Sequence, residues 1–309
     1  MHSPERQWQQ TNCYADLWIE ILASLGCEPA AAFGFTVAQD FEGDQFTFFK
    51  PPLDELEALF GLRINELALY DDLIAHIERQ LEQRRLVLIE LDSYYMPDTR
   101  GVSYRDSHGK TTIAINRLDR ARREIDYFHN DGFHRAVGDD FDGLLRLLPE
   151  QTREDALFPY AETVRLPSAR ANPNAPAPMA LDILARHVKR APAGNPIAAY
   201  RQMATEHADA LIERPSIAFH HYAFNTLRQL GANFELLASH LRWLETAARE
   251  NFDESADFAQ RIAEGAKIAQ FQLARGLRQR RFDRFDAALA PLCDAHDALL
   301  GGLRARFAA

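Results

Sequence analysis

The sequence predicts an α+β amino-terminal half followed by an all-helical carboxy-terminal half. Three observations carry that prediction. Short β-prone runs stand between residues 46 and 129, helical periodicity alone runs from residue 179 onward, and the stretch 167–178 holds four prolines and no large apolar side chain. The chain has 309 residues, 47% hydrophobic and 26% charged, the balance of a globular protein with room for one large core or two smaller ones.

The elements follow in order. Residues 11–26 read as a helix, because Tyr14, Leu17, Trp18, Ile21, Leu22 and Leu25 form one apolar stripe. Thr11 and Asn12 are suited to cap it, and Gly26 to stop it. A β-prone run at Phe46–Phe49 is closed by Lys50-Pro51-Pro52, and residues 53–61 and 66–84 read as two helices. Leu86-Val87-Leu88-Ile89 reads as a buried strand within 85–96. Lys110–Leu118 and Glu124–His129 read as two strands of a hairpin joined at Asp119–Arg123, although no glycine marks that turn. Beyond the proline-rich stretch come helices at 179–191, 195–213, 216–249 with a break near Gly231, 254–282 and 284–307. The expected domains are therefore 1–166, a linker at 167–178, and 179–309.

Several function classes are excluded by composition. A net charge of −10 argues against broad nucleic-acid binding, which needs excess Lys and Arg. No apolar run approaches the length of a membrane span, and the amino terminus lacks a basic-then-apolar leader, so a cytoplasmic protein is expected. The three cysteines are too few and scattered for a disulfide framework or a zinc site. No Walker loop, G-x-G-x-x-G or G-x-S-x-G occurs.

The residues that remain point to cysteine chemistry. Cys13 follows Asn12 at the first turn of the first helix, where unpaired backbone N–H groups and the helix dipole stabilise a thiolate and an oxyanion. The plainer reading makes it a small buried hydrophobe, as for Cys27 and Cys293. His108 precedes a strand after a polar loop and can reach into a cleft as a base; the plainer reading is a solvated loop histidine. Asn130 ends the returning strand and is the expected orienter of the imidazole, with Asp126 and Asp131 as alternatives. Cysteine, then histidine, then Asn or Asp is the chain order of papain-like enzymes. Asp92, leaving a strand into the aromatic loop that holds Tyr94, suits substrate binding or proton transfer, or else caps a turn. The segment Phe41–Lys50 reads as an aromatic core strand before it reads as a channel wall. His129 and His134 lack metal-ligand spacing. Arg275, Arg278, Arg280, Arg281 and Arg284 read first as a solvated helix face and second as a dock for an acidic partner.

The segments Thr11–Glu20, Asp40–Gln45, Phe48–Pro52, Asp92–Thr99, His108–Ile113 and Tyr127–Asn130 resemble an uncharacterised bacterial family whose members accompany nonribosomal-peptide and polyketide genes. More distantly, the layout is similar to the butirosin-type side-chain acyltransferase, a papain-like domain opening with a cysteine, followed by a helical domain. That resemblance implies an acyltransferase of secondary metabolism. An acyl or peptidyl carrier protein would deliver a thioester on its phosphopantetheine arm, which is part of the substrate and not a bound cofactor. Cys13 would carry the acyl group, His108 would act as base, and a small amine or hydroxyl would be the acceptor. Asn12, Asp92 and Tyr94 are expected to contact substrate, and no metal is required. The rival expectations are a hydrolase (peptidase, amidase or thioesterase) with the same site, and a non-catalytic binding or scaffold protein.

Overall fold

The structure is a computed structural model that describes residues 1–2, 6–9, 11–151, 157–167 and 177–308. It divides into two compact units, neither continuous in sequence. One comprises Cys13–Cys27 and Leu53–Asn172, and the other Met1–Asn12, Glu28–Pro52 and Pro173–Ala309.

The first unit is built on a six-stranded antiparallel sheet in the order β1-β6-β2-β3-β4-β5. The strands are β1 (Arg63–Leu67), β2 (Arg85–Asp92), β3 (Lys110–Asp119), β4 (Glu124–His129), β5 (Gly132–Val137) and β6 (Ala161–Arg165). Helix α1 (Cys13–Ser24) packs against β3 and β4. Helix α3 (Leu73–Glu82) packs against β2 and β3, α4 (Asp139–Leu144) against β5, and α2 (Leu53–Phe60) precedes β1. The face bearing Val87, Ile89, Ile113, Ile115, Ile125 and Tyr127 closes with Ile74, Ile77 and Phe141 into one apolar cluster. Burying such aliphatic and aromatic side chains is the main stabilising term, about 1.5–3 kcal/mol for each fully buried one.

One expectation for this unit needs correction, and another holds for a physical reason the sequence did not show. Residues 66–84 do not form one helix. Residues 63–67 pair with β6, Glu66 opposite Glu162, and α3 starts only after Asp72, whose side chain accepts from the Ala75 N–H at 3.0 Å. A helix cannot begin while those backbone groups belong to a ladder. The hairpin turn before β4 does form without glycine, because Arg123 itself adopts a left-handed φ of 55°.

The second unit is helical: α5 (Ala177–Arg190), α6 (Pro196–Leu211), α7 (Ser216–Ala223), α8 (Gln229–Ala247), α9 (Asp253–Gln279) and α10 (Asp283–Phe307). Helix α9 packs on α8 and α10, and α10 also packs on α6, where Arg201 forks onto Asp286 with two bonds of 2.7 Å. The buried 3₁₀ segment Pro29–Ala38 packs on α5 and α8. That packing is why residues 28–52 join the helices and not the sheet that follows them in sequence. Phe46–Phe49 is not a strand. Only a bridge between Phe41 and Phe46 forms, and both rings pack on Tyr200 at 5.5 and 5.2 Å. Helix α8 runs through Gly231 unbroken; the irregularity is a π turn at Phe224–Arg228. Most of the expected linker lies outside the described residues, and Ala177 and Pro178 already belong to α5.

Candidate functional site

The site grows from a strand end meeting a strand start. Strands β2 and β3 are antiparallel, so the last residue of β2, Asp92, lies opposite the first of β3, Lys110. His108 stands two positions earlier, and its Nδ1 lies 2.6 Å from Asp92 Oδ2. The other carboxylate oxygen accepts the backbone N–H groups of Tyr94 (3.1 Å) and Gly109 (3.2 Å). A carboxylate fixed by two amides holds the imidazole in one orientation and one tautomer. The Tyr94 ring stacks on the imidazole, with centroids 4.5 Å apart and planes 15° apart. The His108 side chain is 70% exposed, so with Nδ1 engaged its Nε2 faces solvent. The pair opens on a groove of about 450 Å³ whose walls include Lys110, Leu157, Phe158 and Tyr160. Lys110 is tied to Glu90 at 2.7 Å, and Leu157 and Phe158 are exposed apolar side chains.

Cys13 is the first residue of α1 and is half-buried, and among the described residues its thiol has no hydrogen-bond partner. It does not line the His108 groove. Strand register gives its relation to the histidine. Asp92 and Leu88 lie on one face of β2, and Leu88 opposes Glu162 of β6. Glu162 accepts from the hydroxyl of Tyr14, the residue after Cys13, at 2.6 Å. The helix that starts with Cys13 therefore packs on the sheet face that also carries Asp92. Burial, then the Glu162 charge, push the Tyr14 hydroxyl well above its ordinary value, so it stays a donor.

Family models described as the DUF1839 N-terminal domain and the DUF1839 C-terminal domain match residues 1–166 and 174–305. The chain belongs to the DUF1839 family. The family is uncharacterised, and a search of the curated proteins finds no match to this chain.

A second histidine–carboxylate pair lies on the opposite face of the sheet in this DUF1839 protein. His129 Nδ1 lies 2.6 Å from Asp98 Oδ2, and the Tyr127 hydroxyl donates to Asp98 Oδ1 at 2.5 Å. His129 Nε2 lies 2.9 Å from the Thr111 hydroxyl. The bonds resemble those of a catalytic relay, but His129 is 2% and Thr111 8% exposed, and the Asp98 side chain is 8% exposed. Burial alone would raise the Asp98 carboxyl, and the hydrogen bonds from His129 and Tyr127 outweigh it and hold it below the usual carboxylate range. This sealed network pins the 3₁₀ turn Pro97–Thr99 to the sheet.

The remaining expected site residues fall as follows. The orienting geometry belongs to Asp92 and not to Asn130. Asn130 sits at φ 47° in the tight turn between β4 and β5, and among the described residues its side chain makes no hydrogen bond. Asp126 is held by Arg135 at 2.5 and 3.0 Å and by Arg117 at 3.3 Å, and Asp131 is exposed in the same turn as Asn130. Asn12 is buried and donates to the Phe49 carbonyl at 2.7 Å, which anchors the chain just before α1. Tyr94 takes a position beside the histidine ring. The signal for the Asp92–His108 pair was in the sequence: an acidic strand end followed, one loop later, by a histidine before the next strand. Among the described residues no group of three His, Cys, Asp or Glu side chains converges as metal ligands.

Proposed function

We propose that this protein is a papain-like cysteine acyltransferase that takes an acyl group from a thioester and passes it to an amine or hydroxyl. The observation that carries the reading is the Asp92–His108 pair, open to solvent, on the sheet face covered by the helix that begins with Cys13. The resemblance to the butirosin-type acyltransferase supports it, whereas the chain order Cys13, Asp92, His108 departs from the papain-like order of cysteine, histidine, then Asn or Asp. In the first step His108 Nε2 takes the Cys13 proton and the thiolate attacks the thioester carbonyl. The N–H groups of the first turn of α1 hold the oxyanion. The carbonyl re-forms, the bond to the pantetheine sulfur breaks, and the imidazolium gives its proton to the departing thiol. In the second step His108 accepts the acceptor's proton as it attacks the Cys13 thioester, and the released thiolate is reprotonated by the imidazolium. Asp92 holds the tautomer throughout. The exposed apolar side chains Leu157 and Phe158 suit an acyl or pantetheine chain, and the phosphopantetheine arm of an acyl or peptidyl carrier protein is the proposed donor.

The test is intact-mass analysis after incubation with acyl-pantetheine thioesters. An adduct of one acyl group is expected, absent in Cys13→Ala and formed far more slowly in His108→Gln. Folded protein that acquires no adduct from any of several chain lengths, or an adduct that survives Cys13→Ala, overturns the reading. The exposure of His108 favours a second outcome, in which water accepts the acyl group. Product analysis with and without added amines separates hydrolysis from transfer.

A further inference from the structure

Helix α9 carries a stripe that faces away from its buried side. Its buried residues include Ala259, Ile262, Ala266, Ala269 and Leu273. Opposite them, Arg261, Glu264, Ile268, Phe271, Arg275 and Arg278 are all exposed and follow one another at intervals of three and four. Ile268 is 56% and Phe271 68% exposed, at the centre of the stripe. Arginine follows toward the carboxy end of the helix. Among the described residues Arg275, Arg278 and Arg284 have no ion-pair partner, whereas Arg280 is tied to Glu213 at 2.9 Å and Arg281 to Asp283 at 3.0 Å. Arg275, Arg281 and Arg284 line a hollow of about 290 Å³ between the end of α9 and the start of α10. The helix dipole accounts for Arg278 in the last turn. It does not account for two large apolar side chains held in water about two to three turns earlier. Apolar anchors beside unpaired guanidinium groups have the composition of a protein-binding surface.

We propose that this face of α9 docks an acidic amphipathic helix of a partner protein. Charge chooses the occupant. The chain carries a net charge of −10, and a local cluster of arginines that have no ion-pair partner among the described residues steers carboxylates to it. Ile268 and Phe271 take the partner's apolar residues, and Arg275 and Arg278 take carboxylates about 6–10 Å beyond Phe271 along the axis. The inference is independent of the chemistry proposed for Cys13.

The probe is a labelled amphipathic peptide with a leucine face flanked by glutamates, together with a twin in which every glutamate is lysine. Fluorescence anisotropy at low salt is expected to show the full-length protein binding the acidic peptide and not its twin. Phe271→Ser and the pair Arg275→Glu with Arg278→Glu should each weaken that binding by about tenfold or more. The charge-reversed pair should now favour the lysine twin. All three positions are exposed, and circular dichroism and melting temperature verify that the variants fold. No binding of the acidic peptide, equal binding of both peptides, or affinities untouched by the substitutions overturns the proposal. Sedimentation of the free protein decides the remaining alternative. A dimer lost in Phe271→Ser would make the occupant a second copy of this chain and would also overturn it.

Discussion

Two histidines of the sheet unit meet a carboxylate through Nδ1 at the same distance, 2.6 Å, and their surroundings give them opposite roles. His108 is exposed and leaves Nε2 to solvent, whereas His129 is sealed and spends Nε2 on Thr111. Substitution separates them. Asp92→Asn removes the acceptor that fixes the His108 tautomer and is expected to slow acyl-adduct formation by about 100-fold, while Asn130→Ala leaves the rate unchanged. Asp98→Asn is expected to leave that rate unchanged and to lower unfolding free energy by about 1–3 kcal/mol, because it weakens bonds to buried His129 and Tyr127. Adduct kinetics and urea unfolding check the two halves. Equal rates for the wild type and Asp92→Asn would remove Asp92 from the machinery. The sequence held Asp92, His108 and Asn130 as candidates. Which acidic or amide group faced the imidazole depended on strand register, and a one-residue change of register moves every side chain to the other face.

Element boundaries show the same division. Helix α1, the β3–β4 pair and the helices after residue 177 were legible from periodicity, because each buries one long stripe. Strands β1 and β6 were not, since they are five residues each and are stabilised by each other across nearly one hundred positions. Gly231 is instructive. A glycine inside a helical pattern suggests a break, yet α8 continues through it. A Cβ at that position would lie 2.2 Å from the ring of Trp8, whose indole N–H donates to the Ala263 carbonyl at 2.8 Å. The glycine admits an indole and does not end a helix. Gly231→Ala should therefore lower stability by about 1–3 kcal/mol, although alanine is the better helix former by about 1 kcal/mol. Thermal melting checks the sign; a more stable variant would show that Trp8 yields without cost.

For the whole molecule, pH acts through buried histidines of the helical unit. Burial pushes His240 down to about 4 against an opposing hydrogen bond to the Ala30 carbonyl, and pushes His296 down to about 4 against the opposing charge of Asp297. Both stay neutral in the fold and gain a proton on unfolding below their ordinary value of 6.5. Stability from this source is complete above pH 6.5 and falls as pH drops toward 4, on the order of 3 kcal/mol per histidine at the lower end. Asp98 acts lower. Its folded value lies below the ordinary 3.8, so its contribution is present above that value and fades only beneath it. Melting temperature measured between pH 7 and 4.5 should fall in the wild type. In His296→Leu the slope should be shallower, and stability at pH 7 should be equal or higher, because among the described residues both buried ring nitrogens of His296 have no hydrogen-bond partner. An unchanged slope would mean that His296 is not buried neutral.

The sequence by itself determined what local patterns encode: an α+β region followed by helices, a cysteine at a helix start, and a histidine before a strand. These follow from side-chain periodicity and capping, which act over a few residues. Tertiary structure alone decided that residues 28–52 join the helices, that Asp92 holds His108, and that His129 is sealed on the other face. Those outcomes rest on which strand lies beside which, and on which surfaces exclude water, and neither is written in any short stretch of chain.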